Sequence, residues 1–227
     1  MVWNPIKRAA FRFFGRSLEK YVSIFDAIRP DLQRANIPFS LTEYVYTMVL
    51  MTLIAFMIGF PTLTILTAIA FRASLIAYLF AFTLSIFIAV GVFMGFYSYP
   101  TLLANRRMRD IDAALPFATT YMATIASSGA PPPTMFKVLA GFPEYGKLAK
   151  EAARINRDIE AFGMDLLSSL RKTAGRSPSA ELKELLWGME TILTTGSDLG
   201  NFLREKSRLF MQEHRRKLQQ FSQTLSG

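Results

Sequence analysis

Between positions 44 and 105 the chain runs 62 residues with a single charged side chain, Arg72. A membrane-spanning helix needs about 20 predominantly apolar residues to cross a hydrocarbon core roughly 30 Å thick. The uncharged runs 44–71 and 73–105 contain 28 and 33 residues, so each allows one tilted crossing. The pair reads as a transmembrane helical hairpin that enters near residue 44, turns at 71–74 and leaves by Pro100. A soluble core is the other use for such helices, but 227 residues leave too little protein to cover them.

The basic residues set the expected orientation. Seven Lys and Arg precede the hairpin, eighteen follow it, and the turn carries only Arg72. Subtracting acids leaves +3 before the hairpin, +1 at the turn and +5 after it, which sums to the overall +9. Positive residues near span ends stay in the cytoplasm. A multi-pass protein of the cell membrane with both termini cytoplasmic follows, with the Arg72 turn outside.

Composition excludes several chemistries. The chain has no cysteine and one histidine, His214, so disulfides, thiolate nucleophiles, Cys-based metal sites and a Ser-His-Asp triad are ruled out. No cofactor or metal site is expected. The first apolar run begins too late and is too long for a cleavable signal peptide.

The chain divides into residues 1–40, 41–100 and 101–227. In the first part, Phe11, Phe14, Leu18, Val22, Phe25 and Ile28 recur every three or four positions, one face of a helix. Arg8, Arg12, Arg16 and Lys20 make a second stripe. Such a helix either lies at the headgroup level against anionic lipid or packs on the rest of the protein. Arg29-Pro30 interrupts it, and a short piece, residues 32–35, leads through Pro38 and Ser40 into the first span.

Within the hairpin, Gly91 and Gly95 form a GxxxG pair that lets helix backbones approach closely. Pro61 is expected to kink the first span. No ionisable side chain lies mid-membrane, which argues against a pump, channel or transporter.

Residues 101–227 read as helix without strand alternation. Ile111, Leu115, Ala118, Met122 and Ile125 form a seam of spacing 4, 3, 4, 3. Pro116 falls inside it, so the helix is expected to kink or to restart with Asp112 as its cap. Gly129 and Pro131-Pro132-Pro133 end it. Further helices are expected over 134–141, 144–161 (ending at Gly163), 165–174, 177–194 (opened by Ser177-Pro178, closed by Gly196) and 197–224. The fold class is therefore all-α: a two-span hairpin plus an antiparallel bundle of about six helices.

Apparent catalytic matches fail on their surroundings. The stretch Gly141 to Lys147 has P-loop spacing, but Leu148 stands where Ser or Thr must hold magnesium and no strand precedes it. Ser169 and Lys172 lack the companion motifs of serine–lysine acyltransferases. Asp110 and Asp112 have no histidine and sit beside Arg107 and Arg109, which suggests ion pairing. His214 falls on the apolar stripe Leu203, Phe210, Leu218, Phe221 and reads as a packing residue. Nothing here reads as an enzyme.

The order of features carries a resemblance. A polar N-terminal helix, the entry Ala35-Asn36-Ile37-Pro38 and a hairpin precede Arg106-Arg107-Met108-Arg109-Asp110-Ile111-Asp112, which runs on to Leu115-Pro116. Then come Ser128-Gly129, Ala161-Phe162-Gly163, Ser177-Pro178-Ser179 and Thr194-Thr195-Gly196-Ser197-Asp198-Leu199 before a long final helix. This resembles the F domain of type II secretion and type IV pilus machines, in particular the archaeal branch that assembles the archaellum and archaeal pili. It fits a single-F-domain member or the N-terminal half of a longer one.

The resemblance implies a non-enzymatic assembly platform at the base of a filament, docked on a hexameric secretion ATPase and moving prepilin-like filament subunits in the lipid bilayer. It also implies a homodimer, and a structural role for Asp112, Leu115, Pro116, Gly129, Gly163 and Gly196. Two basic clusters are candidate ATPase contacts: Arg106, Arg107 and Arg109, which topology alone also explains, and Arg215, Arg216 and Lys217. A nucleic-acid binder is disfavoured, because thirteen acids accompany the eighteen bases after the hairpin and no binding motif appears. A membrane-anchored helical scaffold or receptor unrelated to filaments is the alternative.

Overall fold

A computed structural model describes residues 22–70 and 75–225. Among the described residues every regular element is helical. They fall into two units that divide between Ala104 and Asn105.

In the first unit a 3-10 segment, Ser23–Ile28, leads into α1 (Arg29–Ala35), α2 (Leu41–Ala70) and the start of α3 (Leu75–Ser127). Asn36 closes α1 in the left-handed conformation, φ 57°. Ser40 and Glu43 then open α2 with a reciprocal capping box: the Glu43 amide donates to Ser40 Oγ (3.2 Å) and the Ser40 amide to Glu43 Oε2 (3.1 Å). Two orphan donors at the helix start are thereby satisfied. Val22, Ile28 and Leu32 bury against Leu41, Tyr44, Val45 and Met48, so the described end of the N-terminal segment packs on protein. The Phe11, Phe14 and Leu18 stripe and the Arg8 to Lys20 stripe lie outside the described residues.

The hairpin is read from its contacts. Tyr44 Oη donates to the Phe96 carbonyl at 2.7 Å, while the Phe56 and Phe60 rings meet Phe82 at 6.2 and 5.8 Å. As the position on α2 rises the partner position on α3 falls, so the two helices are antiparallel. The turn at residues 71–74 is outside the described residues.

Large apolar side chains point outward, among them Met57, Ile65 and Phe87 at 66, 62 and 70% exposure. Soluble surfaces rarely carry contiguous apolar patches of this extent. The polar side chains between them turn inward on their own helix. Thr52, Thr64, Thr83 and Ser85 each donate to the carbonyl four residues back, which satisfies these hydroxyls without water.

The second unit continues α3 and adds α4 (Pro132–Ala140), a 3-10 turn Pro143–Tyr145, α5 (Gly146–Glu160), α6 (Leu166–Arg176), α7 (Ala180–Thr195) and α8 (Leu199–Leu225). Consecutive helices pack side by side, α4 on α5, α5 on α6, α6 on α7 and α7 on α8. Ile111, Leu115, Ala118 and Met122 are fully buried with Met135, Leu139, Ile155, Leu170, Leu186 and Leu203. The seam read from spacing is thus the floor of the core.

Two sequence expectations need correction. The helix does not restart at Pro116; α3 runs unbroken from Leu75 to Ser127. A proline inside a helix costs about 3 kcal/mol. Burial of a large apolar side chain returns about 1.5–3 kcal/mol, and Ile111, Leu115 and Met122 flank Pro116, so packing wins. Pro61 lies inside α2. Last, α7 is capped by Ser179, whose hydroxyl accepts from the Leu182 amide at 2.9 Å, and not by Ser177. The Ser177 hydroxyl is instead occupied by the Ser179 backbone, accepting from its amide at 3.2 Å and donating to its carbonyl at 3.3 Å.

Candidate functional site

Where α3, α7 and α8 converge, a groove of about 500 Å³ is lined by Arg109, Asp112, Pro116, Glu181, Phe210, Glu213, His214 and Lys217. Its centre is Lys217, whose Nζ lies 3.1 Å from Glu181 on α7 and 3.0 Å from Glu213 one helical turn back on α8. These carboxylates hold the ammonium charged and raise its pKa, the Glu213 contact most. Asp112 faces the same cluster from α3. Burial raises its pKa, opposed by a hydrogen bond from the Ser179 hydroxyl and by the Lys217 charge. One of its carboxylate oxygens, Oδ1, is buried without a hydrogen-bond partner. Burial likewise raises Glu181, against the pull of Lys217. His214 sets its ring edge-on to Phe117 at 5.8 Å, the packing role its stripe suggested.

Three carboxylates therefore share one lysine at a junction of three helices. The arrangement holds three helices in register by charge, and it presents a polar groove whose rim carries exposed Arg109.

The six basic residues singled out in the sequence separate by environment. Arg106, Arg109, Arg215 and Arg216 are exposed. Arg107 is 7% exposed and is ion-paired with Glu151 of α5, so it holds α3 to α5. Lys217 carries the two carboxylates described above. The structure brings Arg109, Asp112 and Lys217, from motifs about a hundred residues apart, onto one groove. The expected pairing of Asp110 and Asp112 with their neighbours Arg107 and Arg109 gives way to these long-range partners for Arg107 and Asp112.

The remaining motif residues are structural in their geometry. Leu115 and Pro116 are buried. Gly129, Gly163 and Gly196 all have positive φ, 77°, 63° and 70°, at the ends of helices. Gly196 and Ser197 both donate to the Ile192 carbonyl, which satisfies an orphan acceptor of α7. A Cβ on Gly91 or Gly95 would meet nothing within 4 Å. The buried small-residue seam of α3 is instead Ala81, Ser85 and Ala89, spaced four apart, a signal present in the sequence and passed over for the glycines. Gly188 was also passed over; Phe202 of α8 packs directly on it.

Comparison with known proteins adds the decisive observation. Residues 118–227 match the family described as type II secretion system (T2SS), protein F. Most of the helical bundle is therefore similar to an F domain. Over 123 residues the chain is also 29% identical to an uncharacterized protein of Methanocaldococcus jannaschii, covering 54% of this chain and 20% of that relative. The match thus spans about one fifth of the relative's length. No solved structure matches the chain. The likeness of residues 118–227 to that family, together with two long apolar helices that carry outward-facing apolar side chains, points to a membrane protein.

Proposed function

We propose that the chain is an assembly-platform subunit of a type IV pilus-like or archaellum machine, non-enzymatic, set in the cell membrane with both termini cytoplasmic. The F domain after an apolar hairpin carries this reading, and the archaeal relative supports the archaeal branch. In this role the F domain meets a hexameric secretion ATPase, and the hairpin passes its displacement to prepilin-like subunits in the bilayer. The chain works as a homodimer, with no cofactor and no nucleic acid.

The face that meets the ATPase is the α3–α8 groove with exposed Arg109 on its lining, together with the exposed cations Arg106, Arg215 and Arg216 on the same two helices. Exposed charge of one sign speeds encounter with an acidic partner and weakens with salt. Arg107 is assigned to holding the fold, and Lys217 contributes by fixing α8 in place. The test is the Arg215→Glu, Arg216→Glu double variant in the full chain, with association to the cognate secretion ATPase measured at low ionic strength. Association should slow about tenfold or more while helicity and membrane insertion stay unchanged. Normal association at low salt would move the contact elsewhere.

A further inference from the structure

A second charged seam lies between α3, α5 and α6, away from the Lys217 groove. Glu151 of α5, with a side chain 2% exposed, is gripped by Arg107 of α3 and by Arg154 at 3.1 Å. Asp158, equally buried, has Lys172 of α6 at 2.9 Å. Arg176, at the end of α6, donates to the Thr173 hydroxyl at 3.5 Å through Nη2 and lies within the field of the Asp158 carboxylate, and its Nε is buried with no hydrogen-bond partner. Arg157 stands beside Arg154 and Arg176 and lies over the Phe162 ring at 5.9 Å.

The charges do not balance. Arg107, Arg154, Arg157, Arg176 and Lys172 are five cations, against the two carboxylates Glu151 and Asp158. Burial, with the charges of Arg154 and Arg176, lowers the pKa of Arg107 to about 10. Burial likewise lowers Arg154 and Arg176. Gathering desolvated like charges is costly, and each guanidinium brings five N–H donors that need acceptors. Glu151 has two oxygens and already serves two of these arginines. The protein supplies no acceptor for Arg176 Nε–H.

We propose that Arg154 and Arg176, with Arg107 behind them, bind a phosphate group. A tetrahedral phosphate brings one or two negative charges and several acceptor oxygens into a site of small volume, and planar guanidinium forks match its geometry. It supplies the acceptor that Arg176 Nε–H lacks and offsets the excess charge. A protein carboxylate on a partner surface is less suited, because Arg107 and Glu151 lie below the surface and Arg154 is only 20% exposed. The same chemistry is offered by a phospholipid headgroup and by a soluble phosphate. The headgroup is the nearer candidate, since Arg107 follows the end of the uncharged run by two residues. This assignment goes beyond the platform role and does not depend on it.

The test uses the full chain purified in phosphate-free dodecyl maltoside, with the thermal unfolding midpoint as readout. One arm compares sodium phosphate with sodium chloride at equal ionic strength. The other compares micelles carrying phosphatidylglycerol with micelles carrying diacylglycerol. The midpoint should rise in at least one arm, by several degrees at about a hundredfold excess over Kd. The rise should fall by more than half in Arg176→Gln and in Arg154→Gln, and less in Arg176→Lys, which keeps the charge and loses the Nε–H. A rise with phosphatidylglycerol alone assigns a headgroup; a rise with sodium phosphate as well assigns a site open to soluble phosphates. No rise in either arm, or an equal rise in wild type and in whichever of the two Gln variants folds, overturns the site.

Discussion

Phe202 of α8 sets its ring where a β-carbon on Gly188 of α7 would stand. The two helices approach at that point only because residue 188 has no side chain. Gly188 occurs inside a helix, where glycine costs about 1 kcal/mol relative to alanine, so the close approach is what the cost secures. Gly188→Ala should therefore destabilise the F domain, by about 1–3 kcal/mol, although alanine is the better helix former. Denaturant unfolding of Gly188→Ala, Phe202→Leu and the double variant checks this, and the double variant should recover much of the loss. A stabilising Gly188→Ala would contradict the packing.

At Gly196 the backbone, with φ 70°, decides the residue. A β-branched side chain in that conformation is strained, so Gly196→Val should cost on the order of 1–2 kcal/mol. Gly196→Asn should cost less, since Asn tolerates left-handed backbone. Equal costs for the two would mean that the conformation is not what selects glycine.

Removing one partner of the Arg107–Glu151 pair leaves a buried charge uncompensated. Arg107→Ala should destabilise by about 3–5 kcal/mol, whereas replacing both partners by Met and Leu should cost much less. The contrast is measured by chemical denaturation. If the single and double variants are equally unstable, the pair contributes through shape and not through charge.

Asp112 gives a pH signature of defined sign. Its folded-state pKa is raised, mainly by burial. In the window between its unfolded and folded values the native state binds the extra proton, so this group's contribution to stability falls as pH rises through that window. Asp112→Asn should therefore be more stable relative to wild type at neutral pH than at acidic pH. The difference curve between variant and wild type isolates the effect from Asp165 and Glu160, whose lowered pKa values act in the opposite direction. A flat difference curve from neutral pH to the ordinary carboxylate range would show that Asp112 is not desolvated.

Orientation is tested in this cysteine-free chain with single cysteines and an impermeant thiol reagent on intact cells. Ser74→Cys in the hairpin turn should label from outside. Ser179 is a poor inside probe, because its side chain is buried and caps α7. Ser197, which is exposed, serves instead, and Ser197→Cys should stay unlabelled until the membrane is opened. Labelling of Ser197→Cys in intact cells would reverse the proposed topology.

What the sequence determined by itself is what local chemistry controls. A stretch with one charge in 62 residues can be stable only in an apolar solvent or under cover. Gly and Pro punctuation set the helix ends to within two or three residues, since caps involve backbone groups a turn apart. Asp165, whose carboxylate accepts from the Ser168 amide at 2.8 Å, opens α6 as its position suggested. Ser40-x-x-Glu43 was an equally local signal, legible and unread. The tertiary structure decided everything that joins distant positions. Arg106 and Arg107 are neighbours of identical chemistry, yet one is exposed and the other is buried on Glu151, because α5 packs on one face of α3 and not the other. Lys217 looks like part of a free basic run until α7 brings Glu181 to it. Pro116 reads as a helix breaker until the core on both sides of it outweighs the missing hydrogen bond. Burial, charge pairing and the close approach at Gly188 depend on which helix faces which, and that is set by the packing of the whole bundle, to which no short window of sequence has access.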